Sequence, residues 1–164
     1  MSDWPFTNPV LTASGCGGTG RELAAYGDLT DLGGFVTRSV TLLERPGGGE
    51  PRIVESPSGL VNAIGLQNPG VVGFLRDELP PLVDLGAPVV VSIAGHSLGE
   101  YAELARTVGR TDGVIALEVN LSAPDPLGSG SSTRGSRSRP GAWSGRAGET
   151  SARTCCCWSS CAAT

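Results

Sequence analysis

Gly95-His96-Ser97-Leu98-Gly99 is a grouping whose residue types could do chemistry. It follows the apolar run Val89-Val90-Val91-Ser92-Ile93-Ala94 and precedes Glu100-Tyr101-Ala102-Glu103-Leu104, a strand–turn–helix layout in which a serine can act as a nucleophile. A serine hydroxyl near neutral pH needs a base to take its proton, most often an imidazole. The only histidine in the chain is His96, beside Ser97. Neighbours on a tight turn point apart, so His96 is poorly placed to serve Ser97. The mechanical alternative is that Ser97 caps the next helix, with Glu100 three residues on completing a capping box.

Around this turn, strands alternate with helices. Residues 33–40 and 113–120 read as strands, and 87–95 is a strand so apolar that both faces should be covered. Residues 70–86 carry apolar positions at helical spacing, interrupted by Pro80 and Pro81, and 97–109 form a helix ended by Gly109. The pattern predicts an α/β fold with right-handed βαβ units and a parallel sheet. Ligands in such folds gather at the carboxyl ends of the strands.

Composition divides the chain. Residues 1–125 carry 7 Arg against 15 Asp and Glu, whereas 126–164 carry 5 Arg against one Glu, with Leu127 the only Leu, Ile, Val, Met or Phe. So little apolar surface cannot offset the entropy of ordering the segment. Cys155, Cys156, Cys157 and Cys161 crowd its end without a second pair or a nearby histidine, which argues against a metal site. Basic residues without interleaved aromatics at useful spacing argue against nucleic acid as a partner. No apolar run reaches membrane-spanning length and the first residues lack the pattern of a signal peptide, so a cytoplasmic location without membrane attachment is expected.

The "GHSLGEY" turn resembles the active-site motif of malonyl-type acyltransferases, whose partner histidine comes much later in the chain; no histidine follows His96. A longer resemblance runs through "NPVLTASGCGGTGRE" at 8–22, "LGGFVTRSVTL" at 32–42, "PRIVESPSGLVNAIGLQNPG" at 51–70 and "ALEVNLSAPD" at 116–125. In order and spacing these blocks resemble the amino-terminal half of dihydroorotate dehydrogenase of the soluble class, over about residues 5–128. The resemblance implies half of a TIM (β/α)8 barrel that holds FMN and oxidises dihydroorotate to orotate in pyrimidine (UMP) biosynthesis. It places Ala13, Ser14, Gly15, Arg38 and Ser39 along the flavin. Arg38, Asn62, Ile64, Gly65 and Leu66 would line the substrate pocket, and Asn120 would touch both ring systems. Amide side chains suit the alternating donors and acceptors of a pyrimidine, and a cation suits the substrate carboxylate. A homodimer or an electron-transfer subunit would be the protein partner of the full-length parent.

Two positions depart from the family pattern. Arg38 stands where a lysine is usual, and Ala123 stands where the family's cysteine removes the substrate proton. Alanine has no titratable group, so no catalytic residue is assigned, and the parent protein either acts on another substrate or relies on a different base. A whole barrel needs about 250 residues, and residues 129–164 are expected to be a disordered tail outside the 1–128 half barrel. Read with each codon starting one base earlier, Cys155-Cys156-Cys157 becomes Leu-Leu-Leu whichever cysteine codons are used, the makings of a buried strand. A frame slip between about Gly128 and Ser131 would explain the tail. The expectation is therefore a truncated, inactive dehydrogenase. The alternatives are an acyltransferase or hydrolase fragment using Ser97, and a non-catalytic α/β fragment that binds a partner through its open edge.

Overall fold

The computed structural model describes residues 6–121 and the backbone of Arg153–Thr154. Strand β1 (Phe35–Val36) pairs in parallel with β4 (Val89–Ile93), β4 with β5 (Val114–Val119), and β5 with β6 (Arg153–Thr154). A parallel bridge from Leu11 to Gly34 adds the chain's earlier extended segment beside β1. Spatial order therefore follows chain order, apart from the hairpin β2 (Ile53–Ser56) and β3 (Gly59–Asn62), which forms a sheet of its own. A doubly wound sheet reverses direction at a switch point; this one is wound one way, as a barrel wall is, and among the described residues it does not close. The expected disordered tail lies outside the described residues, except that the backbone at 153–154 runs as a strand along β5.

Alternation along the strands sorts the core into two faces. Phe35, Val89, Val91, Ile93 and Leu117 pack with Phe74, Leu79, Leu82, Tyr101, Leu104 and Val108 of the helices. Val36, Val90 and Ala116 pack with Phe6 on the other face. Every residue of β4 is buried, as its unbroken apolar run requires.

The strand expected over 33–40 is broken. Val36 is opposite Val90 and Val40 opposite Ile93, four steps on one strand against three on the other. The Val40 N–H reaches the Ser92 carbonyl, whereas strict alternation after the bond from Thr37 N–H to Val90 would have used Ser39. The extra residue is a β-bulge at 37–39, which turns side chains onto new faces.

The helix expected over 70–86 is three segments: α2 (Gly70–Gly73), a wide π turn (Phe74–Glu78) and α3 (Leu79–Asp84). Pro80 and Pro81 have no N–H to give to the carbonyls four residues back and their rings crowd them. The backbone widens just before them, with Leu79 N–H bonded to the Phe74 carbonyl five residues away. Helix α1 is a single turn (Arg21–Ala24), and α4 (Leu98–Val108) carries the amphipathic pattern expected of it, ending at Gly109.

Candidate functional site

Ser97 has extended backbone angles and its hydroxyl accepts from the Glu100 N–H at 3.2 Å, while Glu100 accepts from the His96 N–H at 2.8 Å. This reciprocal pair is the helix cap, shifted by one residue from the usual box because the carboxylate serves the residue before the cap. Replacing Ser97 by alanine should lower stability by about 1 kcal/mol, measured by urea unfolding. A fluorophosphonate probe should leave Ser97 unlabelled; a labelled Ser97 would restore the nucleophile.

The carboxyl ends of the parallel strands gather the polar side chains. After the Leu11 bridge the chain enters Ala13-Ser14-Gly15, where the Ser14 hydroxyl donates to the Thr37 carbonyl at 2.9 Å and so ties this loop to the bulge. Gly15 has φ +80, and nothing lies within 4 Å of where a side chain would begin, so its backbone is open to a flat ligand. Within the sheet, Asn120 Nδ2 donates to Ser39 Oγ at 2.8 Å, Ser39 Oγ lies 3.0 Å from Ser92 Oγ, and Ser92 Oγ donates to Glu118 Oε1 at 2.9 Å. Ser39, Ser92 and Glu118 are buried. The Asn120 backbone is held on both sides, its N–H by the Ile93 carbonyl and its carbonyl by the Tyr101 hydroxyl at 2.6 Å. Burial raises the Tyr101 phenol above its ordinary range.

Arg38, released by the bulge, faces Glu78 of the π turn at 3.6 Å, with both side chains partly exposed. Asn62 ends β3 opposite Ile53, and Ile64 and Gly65 are exposed on the loop beyond it, with Leu66 half buried. Gly65 has φ +69 and the Ile64 carbonyl accepts from Gly48 N–H, which fixes the loop's bend. The structure thus brings Ser14, Ser39 and Asn120 to one end of the sheet, and carries Asn62, Ile64, Gly65 and Leu66 on a separate hairpin arm. A shallow cavity of about 600 Å³ lies at the foot of that arm, lined by Glu50, Pro51, Arg52 and Ile53. Ala123 lies outside the described residues.

Asn68 roots the arm. Its Oδ1 accepts from Thr41 N–H and Gly70 N–H, and its Nδ2 donates to the Leu66 carbonyl and to Thr41 Oγ1, whose own proton goes to the Leu43 carbonyl at 2.6 Å. Neither Asn68 nor the Ser92 and Glu118 pair stands out by residue type. The signal for the pair is that each interrupts an otherwise apolar strand, and the two are register partners.

The dihydroorotate dehydrogenase family model matches residues 1–137. The chain belongs to the dihydroorotate dehydrogenase family. Among curated members of that family, the dihydroorotate dehydrogenase B (NAD(+)) catalytic subunit of Desulforudis audaxviator is 53% identical over 118 residues, which are 72% of this chain and 38% of the relative. The subunit of the same name from Solidesulfovibrio magneticus is 50% identical over 121 residues, 74% of this chain and 40% of the relative. That from Pelobacter propionicus is 48% identical over 118 residues, covering 72% and 39%. The chain spans about two fifths of the length of these dehydrogenases. No helix among the described residues of this family member is long and apolar enough to cross a membrane.

Two exposed carboxyls, Glu22 and Asp28, are held in their charged forms by local hydrogen bonds. Glu22 is held below its ordinary 4.5 by its own N–H, then by the N–H and hydroxyl of Thr19. Asp28 is held below 3.8 by the hydroxyl and N–H of Thr30. A depressed folded value means stabilisation that is complete above the unfolded value and lost as pH falls through the folded one. NMR titration should therefore place both midpoints below 4.5 and 3.8 respectively, and Thr19→Val should move Glu22 upward. An unmoved Glu22 would mean that the Thr19 hydroxyl adds nothing to the hold of its N–H.

Proposed function

We propose that this chain derives from an FMN-dependent oxidoreductase that converts dihydroorotate to orotate in pyrimidine biosynthesis. The observation that carries the reading is the polar cluster of Ser14, Ser39 and Asn120 at the carboxyl ends of a one-way parallel sheet, in a member of this family. The residues fit a flavin. Gly15 leaves open backbone for a flat ring, and Ser39 and Asn120 supply hydrogen-bonding side chains at the same end of the sheet. Ala13, Ser14, Gly15, Ser39 and Asn120 would hold the cofactor. FMN, when bound, would accept a hydride from the substrate ring. Asn62, Ile64, Gly65 and Leu66 would close over the substrate from the hairpin arm, and Arg38 would leave Glu78 to meet the substrate carboxylate. The relatives are named as NAD(+)-linked catalytic subunits, which supports a companion electron-transfer subunit as the partner of the full-length protein.

A barrel needs about 250 residues and this chain spans about two fifths of the length of its relatives, so the chain is proposed to be inactive as half a barrel. Ala123 cannot take a proton, and the restored protein would draw on a different base. The composition change near Asp125 and the concealed leucine run support a slipped reading frame over 129–164. Resequencing the gene from codon 120 past codon 164 tests this, since a true slip restores an apolar strand in the other frame. The protein from the restored frame should retain FMN through gel filtration and lose flavin absorbance on anaerobic addition of dihydroorotate. The 164-residue chain should do neither. Flavin reduction by the chain itself would overturn the proposed inactivity, and a restored protein that ignores FMN would overturn the functional reading.

A further inference from the structure

Among the described residues, the hairpin arm keeps its outer edges bare. Ile53 pairs with Asn62, Val54 with Val61, Glu55 with Leu60 and Ser56 with Gly59. The Ala63 N–H reaches the Arg52 carbonyl in the same register, so Arg52, Val54 and Ser56 turn their backbone groups inward to β3. By alternation, the N–H and C=O of Leu60 and Asn62 point out along the free side of β3, as those of Ile53 and Glu55 do along β2. The two edges differ in chemistry. Strand β2 is flanked by Pro51 and Pro57 and carries Glu55, devices that keep an edge from pairing. Residues 59–68 contain neither a charge nor a proline, and Leu60 and Val61 are 67% and 64% exposed.

We propose that the β3 edge pairs with the β3 edge of a second copy of this chain. The edge fits itself. Antiparallel pairing about a two-fold axis at Val61 sets Leu60 of each copy opposite Asn62 of the other. Both pairs consist of outward-pointing residues, so four backbone hydrogen bonds form. Opposed residues share a face, so Val54 and Val61 of the two copies make one apolar row across a four-stranded sheet, and no like charges meet at the seam. A two-stranded hairpin is marginal alone in water, whereas a sheet of three or more strands supports itself, and a second copy supplies the missing strands. Four residues a side bury too little for a standard interface of roughly 1,200–2,000 Å², so the dimer forms and parts with concentration. Asn62 to Leu66 continue from the seam, so pairing ties the two arms together. That consequence touches the substrate pocket only on the flavoenzyme reading, whereas the pairing itself does not rest on it.

Sedimentation velocity of the full chain over a concentration series should show a reversible monomer–dimer equilibrium. Asn62→Pro removes an outward N–H that no bond within the hairpin uses, and with it two of the four bonds at the seam. Association should weaken by about tenfold or more. Glu55→Pro makes the same change on the β2 edge and should leave association as it is. A chain monomeric at every concentration would overturn the proposal and leave the edge to a strand of another protein. Equal association in the two proline variants would overturn it by placing the contact elsewhere.

A second measurement reads the register, and decides the matter if a proline variant does not fold. At the axis the two Val61 Cα atoms are a non-hydrogen-bonded pair ~4.5 Å apart, within the span of a disulfide. The two Val54 Cα atoms lie three strand spacings apart, about 14 Å, and out of reach. With the five native cysteines replaced by serine, Val61→Cys should give a disulfide-linked dimer in air, and Val54→Cys should not. Bridging at both positions alike, or at neither, would overturn the two-fold seam. No ligand takes part in either measurement, so failure of the flavoenzyme reading leaves both results standing.

Discussion

Alanine at position 68 should destabilise the chain by about 3 kcal/mol or more, a large fraction of what a domain of this size holds in reserve. Asn68 is 3% exposed and makes four hydrogen bonds, two through Oδ1 and two through Nδ2. Its loss leaves the N–H groups of Thr41 and Gly70 buried without the acceptor they share. Each such group costs about 1–3 kcal/mol. Water is poorly placed to substitute, because the Gly70 backbone is pressed against Leu43 and Glu44 there. Asn68→Asp keeps the accepting oxygen and loses the two donated bonds, so its urea midpoint should fall between those of the parent and the alanine variant. The same substitution should free the Asn62–Leu66 arm, read as faster proteolysis around residues 60–67. An unchanged midpoint in Asn68→Ala would show that the arm has another root.

Phe74→Ala should cost about 3–5 kcal/mol, the range for truncating a fully buried aromatic side chain. Phe74 is 0% exposed and packs in the helix-side core with Phe35, Leu82, Ile93 and Leu104. It opens the π turn, so its carbonyl serves the widened backbone that accommodates Pro80 and Pro81 while its ring fills the core. Val72, two residues earlier in the same helical stretch, is 73% exposed, and Val72→Ala should change the urea midpoint little. Equal effects at the two positions would mean that the π turn does not aim Phe74 into the core.

The elements most legible in the sequence are those whose burial is uniform. The unbroken apolar run of β4 announces a strand covered on both faces, and Ser97 with Glu100 announces the start of α4. The bulge at 37–39 is not legible, since one inserted residue shifts the alternation without changing its residue types. The hairpin is hidden for a different reason. All eight of its strand residues are exposed, so no alternation marks it, and its Pro57-Ser58 turn lacks the Asn-Gly type of signal. Of the candidate site, Ser39 and Asn120 come from a family resemblance, and the structure joins them by a hydrogen bond. Asn68, Ser92 and Glu118 escape a reading of the sequence because their work joins segments 26 or more residues apart, Asn68 to Thr41 and Glu118 to Ser92.

The one-way winding of the sheet also sets a timetable. Each strand of the main sheet pairs with one that precedes it in the chain, so when a strand leaves the ribosome its partner has already been made. Leu11 waits for Gly34, β1 for β4, and β4 for β5, with the helical segment 70–84 and α4 emerging in the intervals. Assembly can then proceed by addition at one growing edge during synthesis. Within the main sheet, the strand that each newcomer meets is the one of that sheet laid down before it.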